Sequence, residues 1–239
     1  MGNGARFWAV IPAAGTGVRM GGAIPKQYLT LAGRTIIEHV LDIFLSHPGI
    51  AGVTVAVAAS DSYWQRYLMR SQGKPVRIAE GGEERVHSVL NALQSLRDEL
   101  GPQDWVLVHD AVRPCLHVSD LDRLIDTLAN DLVGGILAAP LVDTVKRVDA
   151  EGRVLETPPR LGLWRALTPQ MFRYGLLMAS LQAALKSGRP PTDESAAVEA
   201  GHKGEVRVVE GRSDNIKITR PDDIAFAQAI LMARAGGGQ

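Results

Sequence analysis

The stretch that decides the fold is residues 7–21, FWAVIPAAGTGVRMG. Its first part, Trp8 to Ala13, is a short apolar run that predicts a buried strand. Gly15 and Gly17 follow at once, and such glycines let the backbone come close to a ligand and direct successive N–H groups at an anion. Arg19 adds a planar fork of donors suited to phosphate oxygens. We interpret the stretch as a strand followed by a nucleotide phosphate loop.

Two well-known phosphate-binding motifs are missing from this loop. A dinucleotide-binding fingerprint needs a third glycine where Met20 stands, and a P-loop needs Gly-Lys followed by Ser or Thr. The alternative interpretation is a glycine-rich turn with a solvated arginine. Lys26, in the segment PKQY, is close enough in the chain to reach the same anion as Arg19, and this pair of cations favours the phosphate loop.

Short apolar runs alternate with longer amphipathic segments through the first 140 residues. The runs predict strands at Trp8–Ala13, Val53–Ala58, Val76–Ala79, Trp105–Val108 and Gly135–Ala139. The amphipathic segments predict helices at Thr35–Leu45, Val86–Leu100 and Ser119–Leu132. This alternation predicts right-handed crossovers and a largely parallel α/β sheet covered on both faces. Ligands of such sheets bind at the carboxyl ends of the strands, so the residues that follow each strand matter most.

The pattern changes after Pro140. Thr144–Val148 and Arg153–Glu156 flank a turn and predict a β-hairpin, which is either an arm that packs on a partner subunit or a surface excursion of a monomer. The rest of the chain predicts helices at Pro169–Leu185 and Asp193–Ala200, strands at Val206–Val209 and Ile216–Ile218, and a last helix from near Pro221 with Thr219 as N-cap. Without repeats or linkers, residues 1–239 are expected to form one domain, with the arm at about 141–163.

The charges are balanced, with 26 Lys and Arg against 26 Asp and Glu in 239 residues. A protein that binds nucleic acid or an anionic membrane usually has a basic excess, and an aromatic fraction of 5% is low for stacking on single strands. No apolar run approaches the ~20 residues of a membrane span, and the one cysteine, Cys115, cannot form an internal disulfide. The sequence therefore predicts a cytoplasmic protein that binds neither nucleic acid nor membrane.

Two further motifs follow predicted strands. In VHDAVRP, Asp110 lies where a Mg²⁺–phosphate complex needs a hard oxygen ligand, and Arg113 is suited to a second anion; the alternative is a helix-capping Asp with an Arg partner. In GGEER, residues 81–85, the glycines permit close approach to a base or sugar, and Ser88 follows one turn into the next helix. The alternative for this second motif is an ordinary loop.

The last candidate motifs are cationic or acidic. Lys217 lies within the apolar stretch NIKIT, which is unusual for a structural lysine, although edge strands use lysine to deter pairing. Thr192-Asp193-Glu194 predicts a helix start with Thr192 as the cap. The six histidines lack zinc-ligand spacing, and no nucleophile with its base can be recognised. Anion-binding loops and cations without a nucleophile favour phosphoryl or nucleotidyl transfer.

Taken jointly, these motifs resemble the 2-C-methyl-D-erythritol 4-phosphate cytidylyltransferase family from about Phe7 to Ile230. The resemblance is carried by PAAGTGVRMG, PKQYL, GGEERVHSV, VHDAVRP, TDE and DNIKITRPDD. It implies a Rossmann-like nucleotidyltransferase fold, a three-layer sandwich with a mainly parallel sheet, and a homodimer whose protruding β-arms interlock. It also implies transfer of a cytidylyl group from CTP to the phosphosugar alcohol, with Mg²⁺ or another divalent cation. Two alternatives stay open: another polyol phosphate as acceptor, such as ribitol 5-phosphate, or a nucleotide-binding module without turnover.

The resemblance also assigns roles to residues. It implies a catalytic set that stabilises charge on the α-phosphate and orients the acceptor: Arg19, Lys26, Arg160 and Lys217. It implies a CTP site made by Pro12, Ala13, Ala14, Gly15, Gly17, Gly82, Glu83, Ser88, Asp110 and Ala111. The implied phosphosugar site contains Asp110, Arg113, Thr144, Arg160 and Lys217, with Thr144 and Arg160 coming from the other subunit's arm, and the implied metal ligand is Asp110.

Overall fold

The computed structural model describes residues 4–15, 24–64, 73–201 and 204–236. The strands are β1 Phe7–Pro12, β2 Thr30–Leu31, β3 Arg34–Thr35, β4 Ile50–Val57, β5 Val76–Glu80, β6 Trp105–Val108, β7 Gly134–Pro140, β8 Arg147–Val148, β9 Val154–Glu156, β10 Trp164–Arg173 and β11 Arg207–Glu210. The helices are α1 Ile36–Ser46, α2 Arg85–Gln94, α3 Val118–Leu128, α4 Tyr174–Lys186, α5 Glu194–Ala200 and α6 Asp222–Gly236. A short 3₁₀ helix spans Lys26–Tyr28.

Within those ranges, seven strands form the central sheet in the order β11-β7-β10-β6-β1-β4-β5. Every neighbouring pair is parallel except those of β10, which runs antiparallel to both β6 and β7. The prediction of an α/β fold with a mostly parallel sheet is therefore confirmed. Because β1, β4, β5 and β6 all run the same way, their carboxyl ends lie along one edge of the sheet.

The side chains of the central strands alternate between two cores. Ala9 and Ile11 of β1 face the core that packs against α1 and α3, whereas Trp8 and Val10 face the core that packs against α2, α4 and α5. This period of two is the pleat of a strand that is covered on both faces. The three layers of helix, sheet and helix follow from burying both faces of an apolar strand.

Strand β10 corrects the sequence prediction of a helix over Pro169–Leu185. Residues 169–173 belong to the strand, and the helix begins only at Tyr174. Met171 and Phe172 are buried on opposite faces of the sheet, where they lie opposite residues of β6 and β7. The cross-strand pairing and burial of these residues outweigh local helical periodicity, because isolated helix propensity is worth little beside packing.

Several predicted boundaries also move. The predicted helices Val86–Leu100 and Ser119–Leu132 end at Gln94 and Leu128, and residues 216–218 form no strand within the described range 204–236. Ile218 instead contacts a small apolar cluster that includes Leu31, Ile36 and Ala227 of α6. Its backbone N–H donates to the carbonyl oxygen of Val112 at 2.9 Å. The segment carrying Lys217 is thereby fastened beside the end of β6.

The predicted hairpin is confirmed. Strands β8 and β9 pair in antiparallel fashion as a separate two-stranded sheet. Residues 141–163 leave and re-enter the main sheet at one point, since Pro140 of β7 lies opposite Trp164 of β10. The hairpin therefore projects from two adjacent strands. In the described part of the chain, no helix combines the length and apolar character needed to span a bilayer.

Candidate active site

A cleft of about 380 Å³ opens at the carboxyl edge of the parallel strands. It is lined by segments that follow β1, β5 and β6, as expected for a sheet of this kind. The predicted site residues that line it are Pro12, Ala13, Ala14, Gly15, Lys26, Gly82, Glu83, Ser88, Asp110, Ala111 and Lys217. Gly17 and Arg19 lie outside the described residues.

The loops after β1 and β5 are held against each other at the floor of the cleft. Ala13 N–H donates to Ala56 O, and Gly81 N–H donates to Val57 O, each at 2.7 Å. A Cβ on Gly81 would lie 2.1 Å from the Cβ of Ala14, so only glycine permits this approach. The backbone of the first loop is therefore braced by the neighbouring strands before any ligand binds.

Lys26 reaches the cleft from the 3₁₀ helix, which is anchored on both sides. The buried Gln27 donates from Nε2 to the carbonyl oxygen of Ala13 at 2.7 Å, and Tyr28 donates its hydroxyl to Asp61 at 2.6 Å. The sequence analysis did not single out Gln27. Its position directly after Lys26, in the motif PKQY, is the one signal that could have indicated it. Gln27 therefore ties the segment that carries Lys26 to the start of the loop after β1.

Asp110 is the centre of a charged cluster at the opposite side of the cleft. Its Oδ1 accepts from Arg85 Nε at 3.1 Å, and its Oδ2 accepts from Lys217 Nζ at 3.0 Å and Arg113 Nε at 3.3 Å. Burial alone raises the pKa of this carboxyl, but the charges of Arg85, Lys217 and Arg113 outweigh it and hold the pKa far below its usual range. Asp110 is therefore an anion that orders several cations.

Arg85 joins this cluster to a second buried carboxylate. Its Nη1 and Nη2 donate to the two oxygens of Glu194, at 2.6 and 3.0 Å. The cluster of Arg85, Arg113, Lys217, Asp110 and Glu194 has one more positive than negative charge, which suits it to a phosphorylated ligand. Sequence reasoning assigned no role to Arg85, and it considered Glu194 only as part of a helix start.

A buried histidine network holds the loop that carries Asp110. Thr168 Oγ1 accepts from the backbone N–H of Asp110 at 3.2 Å and donates to His109 Nδ1 at 2.9 Å. His109 Nε2 then donates to the carbonyl oxygen of Arg113 at 3.0 Å. Burial lowers the pKa of His109 to about 4, so the ring is neutral and supplies one donor and one acceptor. This network fixes the turn from residue 110 to residue 113.

The remaining predicted residues lie in different places. Arg113 contacts Asp110 but does not belong to the described lining of the cleft, and it also donates from Nη1 to the carbonyl oxygen of Asn215 at 2.8 Å. Thr144 and Arg160 are exposed in the hairpin segment, where Arg160 donates to the carbonyl oxygen of Val142, and neither belongs to the described lining of the cleft. A single chain therefore does not bring the arm residues to its own site.

The donor set fits a divalent cation that arrives with phosphate. Within the described ranges, no three His, Cys, Asp or Glu side chains converge on one point, so these residues form no complete protein cage. Mg²⁺ is commonly held by one or two carboxylates together with substrate phosphates. Asp110, as a carboxylate at the cleft, is suited to that partial role.

A comparison with protein-family models identifies the family of the chain. The model described as 2-C-methyl-D-erythritol 4-phosphate cytidylyltransferase matches residues 7–233. The chain belongs to this family. The predicted nucleotidyltransferase fold and enzyme class are thereby confirmed.

Relatives and solved structures agree with the family assignment. The chain is 52% identical to the 2-C-methyl-D-erythritol 4-phosphate cytidylyltransferase of Ectopseudomonas mendocina, over 96% of this chain and 97% of the relative. It is 54% identical to the enzyme of the same name from Pseudomonas entomophila, over 92% and 93% of the two chains. The crystal structure of the Francisella tularensis enzyme superposes with a TM-score of 0.80 at 35% identity, covering 95% of this chain and all of that one. These names do not favour the alternative acceptor, ribitol 5-phosphate.

The helix start at residues 192–194 corrects one detail of the prediction. Asp193, and not Thr192, caps α5, because its carboxylate accepts from the backbone N–H of Ala196 at 2.9 Å. In this cytidylyltransferase-family chain Glu194 therefore does not cap the helix, and its carboxylate accepts hydrogen bonds from Arg85. At the start of α6, Thr219 donates from its backbone and hydroxyl groups to Asp223.

Proposed function

We propose that the chain transfers the cytidylyl group of CTP to 2-C-methyl-D-erythritol 4-phosphate. In this step an oxygen of the acceptor's phosphate attacks the α-phosphorus of CTP in line, a new P–O–P bond forms, and the bond to the β-phosphate breaks to release pyrophosphate. The observation that carries the proposal is the pairing, in one cleft, of a braced phosphate loop with Lys26 and a cation cluster built on Asp110.

The acceptor's phosphate is already ionised near neutral pH, so the reaction needs no general base. What it needs is stabilisation of the charge that develops on the attacked phosphate, and preorganised cations supply this. We assign this role to Arg19 and Lys26. Replacing either with alanine is expected to lower kcat by about 10²–10³, with a smaller effect on CTP binding.

The CTP and acceptor sites share Asp110. We assign the nucleotide to the loops that contain Ala14, Gly15, Gly82 and Ser88, with the β5–α2 loop close to the base and sugar. Lys217 and Arg113 hold the acceptor's phosphate and orient it toward the α-phosphorus. Mg²⁺, or another divalent cation, is held by the triphosphate with Asp110 and, when bound, neutralises part of the triphosphate charge.

A homodimer completes the site in this proposal. The support is the apolar surface of the hairpin segment, where Leu161 is 95% exposed and further apolar side chains are also open to solvent: Val142, Val148, Val154 and Leu155. A second copy that covers these side chains brings Thr144 and Arg160 of the partner subunit to the cleft. The chain is then one domain with a dimerisation arm, and its single cysteine and balanced charge support a cytoplasmic location without a nucleic acid partner.

Pyrophosphate release tests the activity. CTP is incubated with the chain, Mg²⁺ and either 2-C-methyl-D-erythritol 4-phosphate or ribitol 5-phosphate, and the products are identified by mass spectrometry. We expect pyrophosphate and a CDP-alcohol with the first acceptor only. Turnover with ribitol 5-phosphate at a similar kcat/KM would refute the acceptor assignment, and binding of CTP without turnover would refute the enzymatic one.

Mixing two inactive variants tests the shared site. In a mixed dimer of Lys26→Ala and Arg160→Ala subunits, one cleft combines an intact Lys26 with an intact Arg160 from the partner subunit. Random exchange of subunits in a two-fold dimer would restore about a quarter of wild-type activity. If Arg160 serves its own chain's cleft, mixing restores nothing, and if Arg160→Ala alone keeps the wild-type KM for the acceptor, the residue is not part of the site.

A further inference from the structure

We propose that Glu194 is a positioning residue for the reaction. Acting through Arg85, it holds the Asp110 carboxylate so that Arg113 and Lys217 stay directed at the acceptor's phosphate. This inference rests on the proposed function, and it concerns a residue that has no direct access to the ligand.

The geometry forms a continuous chain of contacts from Glu194 to the cleft. Glu194 is 1% exposed and is not part of the described cleft lining. Both of its oxygens accept from the terminal nitrogens of Arg85, at 2.6 and 3.0 Å, and the remaining nitrogen, Nε, donates to Asp110 Oδ1 at 3.1 Å. Every nitrogen of the guanidinium is therefore committed, and its plane cannot turn without breaking one of these contacts.

A purely local role does not explain a carboxylate at this position. Asp193 already caps α5, and Gln170 fixes the same turn by donating to Asp193 Oδ2 and accepting from the backbone N–H of Ser195, both at 2.9 Å. Burial raises the pKa of Glu194 because desolvation disfavours the charged carboxylate, and the Arg85 guanidinium opposes that effect. Asp193 and Gln170 thus fix the start of the helix, while both carboxylate oxygens of Glu194 accept from Arg85.

As a consequence, the two carboxylates of the cluster balance different cations. Glu194 balances Arg85, which leaves Asp110 Oδ2 to order Lys217 at 3.0 Å and Arg113 at 3.3 Å. When Glu194 loses its charge, Asp110 alone is left to balance Arg85, which draws the Asp110 carboxylate away from the other two cations. The acceptor's phosphate then meets cations that are less well oriented.

Isosteric substitution and a double-mutant cycle test this chain of contacts. We expect Glu194→Gln to raise the KM for the acceptor and to lower kcat/KM by about ten- to hundredfold, with a smaller rise in the KM for CTP, because the two sites share Asp110. In an Arg85→Met background, adding Glu194→Gln should cause no further loss, because the two residues act as one unit. Glu199→Gln is the matched control, since Glu199 is an exposed glutamate on the same helix.

A second variant separates positioning from folding. Replacing both members of the pair, as Arg85→Met with Glu194→Leu, removes the buried Glu194 charge together with its partner and substitutes an apolar contact, a change that is often neutral for stability. We expect this protein to unfold at a higher urea midpoint than Glu194→Gln, which leaves the Arg85 charge without its Glu194 partner, and still to show the raised KM for the acceptor.

The outcomes distinguish this inference from the proposed function. If the wild type releases no pyrophosphate, the proposed function fails. If the wild type turns over and Glu194→Gln keeps the wild-type KM for the acceptor, the positioning role is wrong. The role is also wrong if the losses of the two single variants simply multiply, or if the apolar pair restores activity along with stability.

Discussion

Replacing Asp110 with asparagine removes the negative charge at the centre of the cation cluster and keeps the size of the side chain. In the wild type its oxygens accept from Arg85, Arg113 and Lys217 over 3.0–3.3 Å. The amide keeps one acceptor oxygen but directs an NH₂ group at one of these cations. The perturbation therefore leaves cations that face one another without their shared counter-charge.

The size of the effect follows from the burial of each partner. Removing one member of a buried charge pair typically costs about 3–5 kcal/mol. Solvent screens part of the loss here, because the side chain of Lys217 is 41% exposed, and Arg85 retains its contacts with Glu194. We therefore expect the free energy of unfolding to fall by about 3 kcal/mol.

The pH dependence gives a second readout of the same charge. The cations hold the pKa of Asp110 below its value in the unfolded chain, so the carboxylate contributes its full stability above that unfolded value and loses it as the pH falls further. The unfolded value is about 4. The difference between wild type and variant should therefore be the same at about pH 8 and about pH 5, and should shrink only in more acidic solution.

Urea unfolding, followed by tryptophan fluorescence at one fixed protein concentration, measures both quantities. The exposed Asp126 of α3 provides the control, and its replacement with asparagine should change the free energy of unfolding by less than about 0.5 kcal/mol. A loss below about 1 kcal/mol for the Asp110 variant, or a difference that varies between pH 8 and pH 5, would refute the view that this charge holds the cluster together.

Three further predictions concern buried side chains. Gln27→Glu sets a carboxylate oxygen against the carbonyl oxygen of Ala13, and steady-state kinetics should show a KM for CTP raised about tenfold, whereas an unchanged KM would mean that Lys26 needs no such anchor. Burial raises the pKa of the Cys115 thiol to about 11, so Ellman's reagent at about pH 8 should label it only as urea unfolds the chain; rapid native labelling would contradict this. Burial lowers the pKa of His109 to about 4 in the folded chain, so the unfolded chain binds a proton at this imidazole at a higher pH than the folded chain does. The free energy of unfolding should therefore decline by roughly 3 kcal/mol as the pH falls from about 6.5 to 4. In urea titrations His109→Gln, which retains a donor and an acceptor, should flatten that decline.

Many residues of the candidate site could be predicted from local sequence because they directly follow predicted strands. Each of β1, β5 and β6 was recognisable in the sequence as a short apolar run followed by glycine or by a charged residue. A parallel sheet brings the carboxyl ends of such strands to one edge. For Asp110 the local sequence left a helix cap as the alternative, and Ser88 was assigned to the site by the resemblance to the family. Their roles still needed the neighbours that only folding supplies.

The largest error of the sequence-based prediction has its cause in tertiary packing. The segment 169–173 has the local pattern of a helix, yet it forms the antiparallel strand between β6 and β7, because pairing and burial in the centre of a sheet outweigh local propensity. The cap of α5 was misplaced by one residue for a smaller reason: threonine and aspartate both cap helices, and only the backbone geometry chooses between them.

The sequence by itself determined the fold class, and it predicted the edge of the sheet at which ligands bind and the phosphate-binding character of the loops, since these depend on residues that are neighbours along the chain. Only the tertiary structure decided which charges meet. Arg85 and Glu194 are 109 positions apart, and nothing in the local pattern of either indicates the other. The local sequence around a charged residue does not indicate its partner. Which charges meet depends on how the helices and strands that carry them pack together.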